Sequence, residues 1–129
     1  MKKIISVVVL ACLLFSCSSH STVTPETLTE HYVNRMIKTY SGKQKINKEY
    51  LSSQAREAIK EAWENGVRDK KDGMSEEYAR EVIDYYKNFT KNQTENVRAG
   101  EGVALGLIQF YGTMAPELSE AYWAGYTGQ

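Results

Sequence analysis

Leu51-Ser52-Ser53-Gln54-Ala55-Arg56-Glu57-Ala58-Ile59-Lys60-Glu61-Ala62-Trp63-Glu64-Asn65-Gly66-Val67 decides the fold. Leu51, Ala55, Ala58, Ile59, Ala62, Trp63 and Val67 fall at helical spacing, while Arg56, Glu57, Lys60, Glu61 and Glu64 fall on the opposite side. One apolar stripe with a period near 3.6 residues is the mark of an amphipathic helix packed on a core. Asn47 supplies an N-cap, because its side-chain oxygen can take a free amide of the first turn. Gly73 supplies the stop. Gly66 lies inside the pattern at a cost of about 1 kcal/mol in helix propensity, so a close contact or local bend should offset it.

The segments on either side repeat this period. Before it, Leu28, Tyr32, Met36 and Tyr40 recur every four residues with Val33 and Ile37 beside them, and Gly42 closes the pattern. The first helix should start between Thr24 and Thr27. Pro25 is acceptable in a first turn, and Thr27-Leu28-Thr29-Glu30 fits a capping box. After it, Ser75 can cap a third helix with Glu76 and Glu77 placed well against the helix dipole. Tyr78, Ala79, Val82, Ile83, Tyr86 and Phe89 carry that helix on until polar residues gather from Asn92 to Asn96. Gly100 and Gly102 bracket a break. Val103 to Tyr111 is strongly apolar, with Gly112 as its expected stop. Periodicity alone does not separate helix from strand there, but helical neighbours and the lack of a second strand favour helix. Pro116 opens a last helix whose Leu118, Ala121, Tyr122, Gly125 and Tyr126 share a face. The expected fold is all-α, a compact bundle of four to five helices joined by short connections.

The N-terminus sets the location. Lys2 and Lys3 precede an apolar run, Ile4 to Phe15, followed by small residues, which is the order of a secretory signal. About 12 apolar residues is short of the ~20 that span a bilayer. Leu14-Phe15-Ser16-Cys17 resembles the bacterial lipobox, in which cleavage precedes a cysteine that becomes lipid-modified. The organisation expected is a signal peptide over 1–16, a polar tether over 17–23 with lipidated Cys17, and one helical domain over 24–129. A soluble periplasmic protein cut near Ser16 is the alternative. Ser18, where enterobacterial lipoproteins retained in the inner membrane commonly have Asp, favours the outer membrane, facing the periplasm.

Composition narrows the chemistry. The whole chain balances 16 Lys and Arg against 16 Asp and Glu, and loss of Lys2 and Lys3 leaves a slightly acidic mature chain. That gives no basic excess for nucleic acid. With Cys12 removed and Cys17 acylated, no thiol or disulfide remains, and stability falls to packing, the whole chain having nine Tyr, two Trp and three Phe, of which Phe15 leaves with the signal. His20 lies in the tether. His31, beside Glu30, reads as a partly exposed structural residue. No catalytic, phosphate-cradling or zinc motif occurs. Asp69-Lys70-Lys71-Asp72-Gly73 fails as a calcium loop, since Arg68, Lys70 and Ala79 would occupy ligand positions. No metal or cofactor is implied. Asn88-Phe89-Thr90 and Asn92-Gln93-Thr94 match the glycosylation pattern, by chance in a bacterial envelope protein.

One internal similarity is informative. Glu61-Ala62-Trp63-Glu64-Asn65-Gly66 parallels Glu120-Ala121-Tyr122-Trp123-Ala124-Gly125, each with Glu, Ala, an aromatic, and a glycine three residues after that aromatic. Such faces let two helices cross closely at the glycines. Trp63, Gly66, Tyr122, Trp123, Gly125 and Tyr126 therefore form either a core packing device or a partner surface, aromatic rings being common interface anchors.

The same stretches carry a resemblance. Asn65-Gly66-Val67-Arg68-Asp69-Lys70-Lys71-Asp72-Gly73-Met74-Ser75 and Ala121-Tyr122-Trp123-Ala124-Gly125-Tyr126-Thr127-Gly128, with the lipobox, resemble the entry-exclusion lipoproteins of small mobilisable colicin-type plasmids. The resemblance implies a short helical lipoprotein that acts by binding and has no catalytic residue. Its partners would be the membrane, through the anchor, and an envelope or transfer-apparatus protein. A general periplasm-facing inhibitor or assembly accessory fits the same residues. A small hydrolase using Glu and His is the remaining alternative.

Overall fold

The computed structural model describes residues 22–40, 42, 45–89, 91–92 and 110–129. The signal peptide, Cys17, His20, the glycine break at Gly100 and Gly102, and the apolar segment from Val103 up to residue 109 lie outside the described residues. The chain is all-α, with no strand among the described residues, and its longer helices are α1 Pro25–Tyr40, α2 Lys48–Lys71, α3 Glu76–Lys87 and α4 Ala115–Thr127.

Local chemistry sets the helix ends. α2 begins where the Asn47 side chain accepts from the Tyr50 amide at 3.0 Å, and α3 where Ser75 Oγ accepts from the Tyr78 amide at 3.1 Å. Gly73 turns the chain between them at φ +79°, a left-handed conformation that favours glycine. Two boundaries depart from the sequence expectation. The capping box of α1 lies one turn earlier than Thr27–Glu30. Thr24 and Thr27 bond reciprocally, the Thr24 amide to Thr27 Oγ1 at 3.0 Å and the Thr27 amide to Thr24 Oγ1 at 3.2 Å. Pro25, with its fixed φ and no amide proton, suits the first helical position, which makes Thr24 the cap. Gly112 does not end a helix. Residues 110–113 are helical, and the chain turns at Met114 into α4.

α4 is the centre of the bundle. Ala115, Leu118, Ala121, Tyr122, Ala124, Gly125 and Tyr126 are all buried, so this helix is covered on more sides than the one face its pattern predicts. Its most extensive contact is with α2. Leu28, Tyr32 and Val33 from α1 join Ala55, Ala58, Ile59 and Ala62 from α2 and Leu118 and Ala121 from α4 in the main core. Ala79 of α3 packs with Tyr122 and Tyr126 in a smaller cluster. Val23, counted with the tether in the sequence, also packs against the core. Three residues expected on core faces are exposed instead: Tyr40, at the end of α1, Tyr78, in the first turn of α3, and Val67, because α4 presses on Gly66 beside it.

Candidate functional site

The two similar stretches meet. A Cβ added to Gly66 would overlap the Tyr122 carbonyl oxygen and lie 2.8 Å from the Tyr126 amide nitrogen. One added to Gly125 would overlap the Trp63 carbonyl oxygen and lie 3.2 Å from the Val67 amide nitrogen. Each glycine thus receives the carbonyl three residues before the other glycine. The Glu-Ala-aromatic-x-x-Gly similarity is one reciprocal contact seen from both helices. Gly66 has side-chain-free space only because α4 backbone fills it, which offsets its helix-propensity cost.

The aromatic residues of these stretches divide by exposure. Tyr122 and Tyr126 are buried and stack with an interplanar angle of 12°. Tyr122 donates its hydroxyl to Asp69 Oδ2 at 2.7 Å, and Tyr126 donates to the Met74 carbonyl at 2.7 Å, tying α4 to the end of α2 and the turn into α3. Burial, and then the accepting Asp69 carboxylate, push the Tyr122 phenol well above its ordinary range. Trp63 packs half-buried against the main core. Trp123 is also half-buried, packed against the smaller cluster of Ala79, Tyr122 and Tyr126. Its indole stacks on Tyr126, and the Arg80 guanidinium lies 4.9 Å from its centre. Arg80 is itself held by Glu76 at 2.6 Å. Beside Trp123 an open groove of about 590 Å³ runs between α3 and α4, lined by Ile83, Asp84, Lys87, Ser119 and Glu120. Its cations and acids alternate, an arrangement suited to contact with a mixed-charge surface.

A polar cluster that the sequence reading missed joins α1 to α4. Glu117 is 1% exposed. Arg35 Nη2 donates to both of its carboxylate oxygens, at 2.7 and 2.8 Å, and Nε donates to Oε1 at 3.1 Å. The same Nη2 donates to the Thr113 carbonyl at 2.6 Å. His31, exposed as expected, places Nδ1 3.1 Å from Glu117 Oε1 rather than pairing with Glu30. A carboxylate only accepts, so Nδ1 carries the proton in this bond. Thr113 spends its one hydroxyl proton on the Phe110 carbonyl at 2.7 Å, so the Tyr32 hydroxyl donates to Thr113 Oγ1 at 2.8 Å. Burial raises the Tyr32 phenol above its usual range. The sequence signal was present: Glu117 falls on a helix whose neighbours Leu118 and Ala121 are core residues, and a buried carboxylate needs a cation.

The buried Glu117 carboxylate and Tyr32 hydroxyl are thus both hydrogen-bonded within the cluster. Among the described residues, no buried side-chain polar atom lacks a partner and no group of His, Cys, Asp and Glu is placed to hold a metal. Within the same residues, no helix is long and apolar enough to cross a membrane. No protein-family model, curated protein or solved structure matches this chain.

Proposed function

We propose that this is a lipid-anchored envelope protein that acts by binding, in the surface exclusion of incoming plasmids. The observation that carries the reading is the lipobox-like Leu14-Phe15-Ser16-Cys17, placed only six residues before Val23 joins the core. Six residues reach about 20 Å at full extension. Acylation at Cys17 would hold the helical body at the membrane surface, with its N-terminal end inward. Anchoring raises the local concentration of the body there, so a modest contact suffices for occupancy.

The proposed work is contact, not turnover. The geometry that supports this is a bundle whose buried polar groups satisfy one another and whose outward features are aromatic and charged side chains. The partner proposed is a component of the transfer apparatus or its envelope receptor, reached from the outer membrane on its periplasmic side. A general envelope interaction role, with no plasmid involved, uses the same anchor and surface. The experiment that separates them measures uptake of the related plasmid by recipient cells with and without the gene. Exclusion predicts a fall in transconjugant frequency of tenfold or more when the gene is present. Equal frequencies refute it and leave the general role.

A further inference from the structure

We infer that the face formed by α3 and the start of α4 docks a second copy of this chain, with the two α3 helices antiparallel about a two-fold axis. The inference goes beyond the reading above and needs neither the lipid nor the plasmid role.

The fold uses only part of α3. Tyr78, Ala79, Val82, Ile83 and Tyr86 recur at helical spacing, the pattern of a helix that packs along one side. Of its 12 residues only Ala79 is buried. The helix rests on α4 at the edge of the bundle. On its far flank, half-buried Ile83 and Trp123 and exposed Pro116 give the open groove of about 590 Å³ an apolar lining.

The charges along that flank select the occupant. Glu76, Arg80, Asp84 and Lys87 follow at spacings of four, four and three residues, so they keep to one side of the helix, and all four are exposed. Their signs run minus, plus, minus, plus. Read backwards, the order is plus, minus, plus, minus. An antiparallel second α3 therefore sets each charge against its opposite: Arg80 faces the second copy's Asp84, and Glu76 faces its Lys87. A two-fold interface places one patch against itself, and a self-complementary order is what that requires. A parallel copy would set like charges together, which is costly across an interface.

Pairing inside the helix explains part of this order, since Glu76 holds Arg80 at 2.6 Å. Asp84, Lys87 and Glu120 make no ion pair among the described residues. Arg80 is already fixed by Glu76 and by the Trp123 ring, 4.9 Å away, so it loses little freedom when a second carboxylate arrives. Two cations against three acids, Glu120 included, leave the patch nearly neutral, which gives a nucleic acid or an anionic lipid surface little to hold. An α3 of 12 residues is about 18 Å long, so the contact belongs to the small, transient class of interfaces.

A covalent trap suits such a contact. The purified full-length protein carrying Ile83→Cys is oxidised with copper phenanthroline and run on a non-reducing gel, the unaltered chain setting the background from Cys12 and Cys17. Ile83 lies between Arg80 and Asp84, beside the crossing point, so its two copies come together. The dimer band should exceed that of Lys60→Cys, on the exposed side of α2, by about tenfold. Adding Arg80→Glu or Asp84→Arg should cut the band by about tenfold. Both reversals in one chain should restore it, because that order is again complementary to itself, and so should mixing the two single reversals. Equal bands from Ile83→Cys and Lys60→Cys overturn the inference. So do single reversals that keep the full band, or a double reversal that does not regain it. If a single reversal unfolds the chain by circular dichroism, the contrast between Ile83→Cys and Lys60→Cys still decides.

Discussion

Replacing Gly125 by Ala tests the reciprocal crossing directly. The added Cβ would overlap the Trp63 carbonyl oxygen and lie 3.0 Å from its carbon and 3.2 Å from the Val67 amide nitrogen. These are backbone atoms of the middle of α2, so no flexible side-chain end can swing away. Relief requires α4 to retreat. A gap of 0.5–1 Å already forfeits a quarter to a half of each dispersion contact along the helix pair. Forced overpacking costs about 1–3 kcal/mol in ordinary cores, and a backbone obstacle belongs at or above the top of that range. Alanine returns about 1 kcal/mol of helix propensity. The net expectation is a loss of roughly 2–3 kcal/mol, a melting temperature lower by about 10 °C in a domain of this size. Gly66→Ala should match it, since its Cβ meets the Tyr122 carbonyl in the same way. The double variant should cost clearly less than the sum, because helices already apart do not clash again. Circular dichroism at 222 nm during heating of the purified protein reads all three. A single Ala variant that melts at or above the unaltered protein refutes the reasoning.

Arg35→Met should lower the free energy of unfolding in urea by about 2 kcal/mol. It leaves the buried Glu117 carboxylate with only exposed His31; the estimate stays below the usual cost of an orphaned buried charge because Arg35 is 37% exposed. Adding Glu117→Leu to that variant should recover part of the loss, and no recovery would argue against an orphaned charge as its cause. Tyr122→Phe should cost about 1 kcal/mol by leaving Asp69 without its donor. The folded Tyr122 phenol ionises above the unfolded value of 10.0, so its share of stability is complete below pH 10 and declines as pH rises beyond it. Melting temperature should therefore fall above pH 10, less steeply in Tyr122→Phe; identical alkaline profiles would contradict the assignment. Cys17→Ser should accumulate an uncleaved precursor on an immunoblot, and normal processing of that variant would contradict the lipobox reading.

The fold was legible where one property repeats along one helix. The stripe from Leu51 to Ala62, the Asn47 and Ser75 caps and the Gly73 turn follow from local periodicity and local hydrogen bonding, and the structure has them. The paired Glu-Ala-aromatic-x-x-Gly stretches were legible as a possible crossing, since a glycine inside a good helix pattern needs a neighbour to offset its cost. What the sequence left unread depends on which helix stands where. Val67 matches the stripe as well as Gly66 does, and only the approach of α4 leaves one exposed and the other buried. Glu117 read as a first-turn acid complementing the helix dipole. Its pairing with Arg35, 82 residues away in sequence, is set by the packing of α1 on α4. Tyr40 fits the apolar repeat of α1, yet the helix ends there and, among the described residues, the ring is left exposed.

The central claim is that a lipid on Cys17 holds this helical body at a bacterial membrane, where contact does its work. Growth of the host with radiolabelled palmitate, followed by immunoprecipitation, tests it most directly. The account predicts label on a mature-sized band for the unaltered protein and none for Cys17→Ser. A mature-sized band without label in the unaltered protein would contradict it.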